Sequence, residues 1–153
     1  MTFDSEKLLD RTGWRILEIL QEEARISLAE LGRKVGLSAP AIAERVKRME
    51  EAGIITGYQA QVNPEKVGYA IAAIIALTTT PQKYPQILTL IETLPEVRSC
   101  HHVTGNFSFF MEVTVSSMGH LEEIINQLSE FGQTSTSIIL SSPLPRRGIM
   151  DRH

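Results

Sequence analysis

Residues 27–53, SLAELGRKVGLSAPAIAERVKRMEEAG, constrain this chain more than any other stretch, because two helix starts and a helix stop fall close together in them. Ser27 is an N-cap residue, and Glu30 three positions on is placed for a capping box. Leu28, Leu31 and Val35 follow at i, i+3 and i+7, one apolar stripe of a short helix. Gly36 takes the left-handed conformation that ends a helix, and Leu37 is placed to plug the angle that follows. Ser38 is a second N-cap, with Pro40 in the first turn, where its missing N–H is tolerated. Ile42, Val46 and Met49 form the buried stripe of the second helix, and Arg45, Lys47 and Arg48 are expected on its other face. A short helix, a glycine turn and a longer helix with a basic outer face form the helix-turn-helix pattern, whose second helix enters a DNA major groove.

Charge supports that reading through its distribution rather than its sum. The chain of 153 residues has a formal net charge of −3. Between Arg33 and Arg48, however, five basic residues (Arg33, Lys34, Arg45, Lys47, Arg48) face a single acid, Glu44, whereas residues 61–153 hold six basic and eight acidic residues. Positive charge is therefore concentrated where phosphate neutralisation needs it. Ser38, Ala39, Pro40 and Ala41 lie at the end of the helix that meets base edges. They are small and mostly apolar, which implies thymine-methyl contacts, a hydroxyl from Ser38 and a large share of shape readout. Arg45, Lys47 and Arg48 are expected to contact phosphates or bases.

Other chemistries find little footing. Cys100 is the single cysteine, so no disulfide forms within the chain. His101, His102, His120 and His153 have no metal-ligand spacing, and adjacent His101 and His102 on a strand point to opposite faces. No glycine-rich phosphate loop or nucleophile motif is present, so no catalytic residue, metal or cofactor is expected. The N-terminus is polar and acidic, unlike a leader peptide. The longest apolar run, 69–77, is far short of the ~20 residues of a membrane span. A cytoplasmic protein without membrane contact is expected.

In chain order, residues 1–9 read as a frayed lead-in and Asp10 as the N-cap of a helix to about residue 23. Ile16, Leu17 and Leu20 form its core face, and Trp14 is a half-buried packing residue. Residues 55–62 fit a short strand pair turning at Gly57, the place of a wing, and Asn63-Pro64 marks a boundary. The domains are therefore expected at 1–62 and 63–153. The second half reads as strand (68–80), helix (86–94), strand (97–104), strand (107–115), helix (118–131) and strand (134–140), the βαββαβ ferredoxin-like order. The class is α+β. Residues 143–153 form a polar tail of no assignable structure. Along the first strand both faces are apolar, with Ala70, Ala72, Ile74 and Ala76 on one and Ile71, Ala73, Ile75 and Leu77 on the other. Helices cover one face of such a sheet, so a second copy is expected to cover the other, making a homodimer.

A winged helix-turn-helix followed by a βαββαβ domain resembles the Lrp/AsnC family of transcriptional regulators. The resemblance is carried by Leu9-Asp10 before Ile16-Leu17, by Ala24-Arg25-Ile26-Ser27, by LGRKVGLS at 31–38, by ERVKRME at 44–50 and by GIITGY at 53–58. It implies binding of double-stranded DNA by the first half. The second half, a RAM-type domain, would assemble dimers into tetramers or octamers and respond to an amino-acid-like effector. The loop containing Thr104, Gly105, Asn106, Phe107 and Ser108 would border the effector cleft. The family often has an acidic residue just after that glycine and another two positions later, where this chain has Asn106 and Ser108. Without a carboxylate for an ammonium group, weak or no binding of free amino acids is expected. Two alternatives share the architecture: a DNA-wrapping architectural protein without effector, and a sirohaem-decarboxylase-like enzyme. The basic outer face of 45–48 argues against the second.

Overall fold

A computed structural model describes residues 7–144 and 146–151, and the lead-in at 1–6, Pro145, Arg152 and His153 lie outside the described residues. The chain forms two compact units, the second of them spanning Val62–Pro143. The tail from Leu144 onward belongs to the first unit rather than to the second. Its anchor is Gln21, whose carboxamide donates to the Ile149 carbonyl (2.9 Å) and accepts from the Ile149 N–H (2.7 Å). That long-range pairing has no signature in local periodicity.

The first unit contains α1 (Arg11–Glu22), α2 (Leu28–Val35) and α3 (Ala39–Glu51). Asp10 caps α1, accepting from the Gly13 N–H at 2.7 Å. Gly13, Ile16 and Ile19 are the buried residues of α1, so the core face is centred on Ile16 and Ile19, and Leu17 and Leu20 flank it half-buried. Leu31, Ile42, Val46 and Met49 close the same core with Ile26. Trp14 is half-buried, as its amphipathic ring suggests. Residues 55–62 form no strand pair. Each arm of such a hairpin would have about three residues, too few for an isolated ribbon to persist. The Tyr58 hydroxyl instead donates to Glu50 of α3 at 2.8 Å and draws the segment along that helix.

The second unit contains β1 (Ile71–Thr78), α4 (Tyr84–Glu92), β2 (Val97–His102), β3 (Phe109–Val115), α5 (Met118–Ser129) and β4 (Gln133–Ile138). The strands lie in the order β2-β3-β1-β4, all antiparallel, which is the expected ferredoxin-like sheet. Ala73, Ile75 and Leu77 of β1 and Phe109, Met111, Val113 and Val115 of β3 pack with Ile87, Leu121, Ile124 and Leu128 of the helices. The opposite sheet face is less apolar than the first strand alone implied. Register places Ala72, Ile74 and Ala76 beside Thr114, Glu112 and Phe110, and Ser137 and Ser135 flank Ile74 and Ala76. The apolar surface is thus a stripe along β1 and Phe110 within a polar frame. No helix among the described residues is long and apolar enough to cross a membrane.

Candidate nucleic-acid interface and effector loop

The reading motif is built as its residues dictate. Ser27 Oγ accepts from the Glu30 N–H at 3.1 Å, starting α2. Gly36 ends it at φ 75°, ψ 32°, and the Leu37 N–H returns to the Gly32 carbonyl at 2.9 Å. Gly32 is buried where the motif folds on itself, since a Cβ there would collide with the Leu37 carbonyl oxygen. Ser38 caps α3 through the Ala41 N–H (3.4 Å), with Pro40 in the first turn. Ser38 and Pro40 are exposed, and Ala39 and Ala41 are half-buried. The start of α3 therefore offers a small, low-relief surface.

The three basic side chains of α3 do not share one face. At 100° per residue, Lys47 and Arg48 lie roughly 130° to either side of the Ile42–Val46–Met49 stripe, whereas Arg45 lies only about 65° from it. Lys47 pairs with Glu51 (3.7 Å) and Arg48 with Glu44 (2.8 Å), both one turn away and well exposed. Such surface pairs are worth ~0–1 kcal/mol and exchange readily for a phosphate. Arg45 is different. Its Nη1 and Nη2 each donate at 2.8 Å to the two carboxylate oxygens of Asp10, a fork-on-fork pair reaching across to the start of α1. Its hydrogen bonds hold the Asp10 carboxyl below the usual carboxylate range and raise the Arg45 guanidinium. Burial, and then the bond to Glu50, push the Tyr58 phenol up to about 12.

The loop after β2 places Thr104, Gly105, Asn106 and Phe107 at the surface, with Gly105 at φ 106°. Phe107 meets Phe110 edge-on at 5.3 Å. Ser108 departs from its four neighbours. It is buried, its hydroxyl accepts from the Thr79 N–H and donates to the Thr79 carbonyl, both at 3.1 Å, and its own N–H bonds Leu77. The Asn106 carbonyl accepts from Thr78 Oγ1 at 3.1 Å. The loop is thus latched to the end of β1, and Ser108 is the latch. On β2, His102 meets Tyr84 edge-on and Phe109 at a tilt on the helix side, while His101 lies opposite Phe110 on the other face. Among the described residues no group of His, Cys, Asp and Glu could hold a metal ion. Sequence pattern missed the Asp10–Arg45 pair and the Ser108 latch because both join residues far apart in the chain.

A glycine-turned pair of helices with a capped second helix, joined to a split βαβ sheet, defines a DNA-binding regulator with an appended ligand-binding domain. Residues 9–56 match the winged helix-turn-helix DNA-binding model, and residues 72–149 match the Lrp/AsnC ligand binding domain. The chain is 34% identical over 133 residues to the HTH-type transcriptional regulator LrpC of Bacillus subtilis, covering 87% of this chain and 92% of that one. It is 35% identical over 144 residues to the regulatory protein AsnC of Escherichia coli K12, covering 91% and 95%. The solved structure of B. subtilis LrpC superposes with a TM-score of 0.86 at 33% identity, covering 90% of this chain and 99% of that chain. A Neisseria meningitidis transcriptional regulator, solved as an L-Met complex, gives a TM-score of 0.86 at 27% identity, covering 92% and 96%. The chain belongs to the Lrp/AsnC family of transcriptional regulators.

Proposed function

We propose that this regulator binds double-stranded DNA with α3 in the major groove. Ser38, Ala39, Pro40 and Ala41 face base edges, and Lys47 and Arg48 reach the phosphates on either side. The observation that carries this reading is the exposure of Lys47 and Arg48 on opposite flanks of a helix whose capped N-terminus is small and open. The second unit pairs with a second copy through the open sheet face, dimers join into tetramers or octamers, and the protein acts in the cytoplasm. The loop of Thr104, Gly105, Asn106 and Phe107, latched by Ser108, borders an effector cleft. The relatives named above are regulators, which supports a role in binding rather than catalysis.

The test is a salt series on DNA duplexes enriched by the wild-type protein from a random-sequence pool. Lys47→Ala and Arg48→Ala should each weaken binding to all sequences alike and flatten the slope of log K against log salt by roughly 0.9. Unchanged slopes in both variants would take α3 out of the interface.

A further inference from the structure

We infer that Arg45 is a positioning residue of the reading helix: clamped to Asp10, it sets how α3 is presented to DNA and touches no phosphate itself. This rests on α3 being the reading helix.

Three observations carry it. The first is the direction of the side chain, which lies beside the buried stripe of α3 rather than on the outer surface that carries Lys47 and Arg48. The second is the completeness of the pair. Both terminal nitrogens of the guanidinium are used, each at 2.8 Å, and Asp10 Oδ1 also accepts from the Gly13 N–H at 2.7 Å. The carboxylate therefore caps α1 and holds α3 at once. Withdrawing Arg45 toward a phosphate would strip a charged partner from a cap that is already in use.

The third is where the clamp sits. One turn away from it, Met49 of α3 packs against Gly13 of α1, with the Met49 methyl 3.1 Å from where a Gly13 Cβ would stand. Gly13 itself has no room for a side chain, because a Cβ would collide with the Leu8 carbonyl. The two helices therefore pack closely here through an apolar contact, part of the core that Ile16 and Ile19 share with Ile42 and Val46, and apolar contacts carry little directional preference. A planar, two-bond fork one turn along the helix adds a directional restraint that dispersion contacts lack. Rolling α3 moves its base-facing residues and its phosphate-facing residues together. The clamp thus fixes the presentation of the whole helix while its two charges stay paired with each other.

The experiment compares Asp10→Asn, Arg45→Gln, Arg45→Lys and the double variant Asp10→Asn/Arg45→Gln in the full chain, on the enriched duplex, across the salt series. Asn keeps the capping ability of Asp, so Asp10→Asn removes the clamp and leaves α1 started. Each single variant should bind about tenfold more weakly with the wild-type salt slope, and the double variant should be no worse than the singles. Arg45→Lys should lose as much as Arg45→Gln, because an ammonium keeps the charge and lacks the fork. A phosphate-contacting Arg45 predicts the opposite signs. Arg45→Gln would then flatten the slope by roughly 0.9, Arg45→Lys would retain affinity, and Asp10→Asn, by releasing the guanidinium, would tighten binding. Those results, or wild-type affinity in every variant, overturn the assignment. Circular dichroism checks that each variant folds, and Arg45→Lys decides the question if a charge-removing variant does not. Flat responses to Lys47→Ala and Arg48→Ala would sink the reading-helix assignment instead and leave the clamp a structural feature of the unit.

Discussion

Gly32 sits where α2 folds back on the turn, buried beneath the Leu37 carbonyl. Alanine there gains helix propensity of about 1 kcal/mol but must move a backbone oxygen, a clash of the kind that costs typically ~1–3 kcal/mol and more when the obstacle cannot rotate away. Gly32→Ala should therefore lower stability by a net ~2 kcal/mol and weaken DNA binding, both measured by thermal melting and duplex titration. Gly36, four residues on, is a control with a different physics. It has open space around its Cα but holds φ 75°, so its substitution costs backbone strain rather than a clash, and asparagine should relieve most of it. A Gly32→Ala protein as stable as wild type would mean that α2 and the turn adjust freely. From sequence, Gly36 is legible as the helix stop because local conformation demands it. Gly32 is not, since its requirement comes from a residue brought close only by the fold. The Asp10–Arg45 pair follows the same logic, with Asp10 legible as a cap and its second partner not.

At the scale of elements, the helices and the two central strands follow their periodicities because each buries one face, and the three N-caps read from sequence, Asp10, Ser27 and Ser38, all accept the expected N–H. Pattern reading failed where a segment lacks a buried face. Residues 55–62 read as a short strand pair turning at Gly57, but past Ile55, which packs on the first unit's core, they are exposed, and the Tyr58 hydroxyl ties them to α3. The tail escaped for the same reason, being held by the Gln21 carboxamide acting as a surrogate backbone. The loop of residues 104–108 lies between these cases, with its turn at Gly105-Asn106 legible and its Ser108 latch not. Since Ser108 gives its hydroxyl to Thr79, an ammonium group at this loop meets neutral acceptors alone from residues 104–108. A neutral acceptor is worth ~1 kcal/mol against ~1.5–3 for a charged one. Calorimetry with L-methionine and the other amino acids should therefore show binding no tighter than about millimolar. Asn106→Asp, which restores a carboxylate next to Gly105 without touching the latch, should tighten it about tenfold. Micromolar binding by the wild-type protein would reject this account of the loop.

At the scale of the molecule, each unit has its own closed core, so the open face of the sheet is not needed to fold the chain that owns it. Ile74 shows this directly. It is 41% exposed, opposite Glu112 and Ser137, while its neighbour Ile75 is fully buried among the helix-facing residues. Sequence alone left either isoleucine as the partner-facing one, because a strand that is apolar on both sides does not say which side its own helices cover. The two positions therefore separate association from folding. Ile74→Glu should leave secondary structure and the melting of the isolated chain near wild type. Yet it should abolish self-association, because a carboxylate buried against a second copy without a partner costs several kcal/mol. Ile75→Glu places the same charge inside one chain's core and should unfold the second unit outright. Sedimentation across a concentration series, paired with circular dichroism, distinguishes these outcomes. If the wild-type protein sediments as a monomer at micromolar concentration, or Ile74→Glu associates as tightly as wild type, the stripe along β1 is not the surface through which this regulator meets its second copy. The DNA-reading helices would then have to be paired by some other part of the chain.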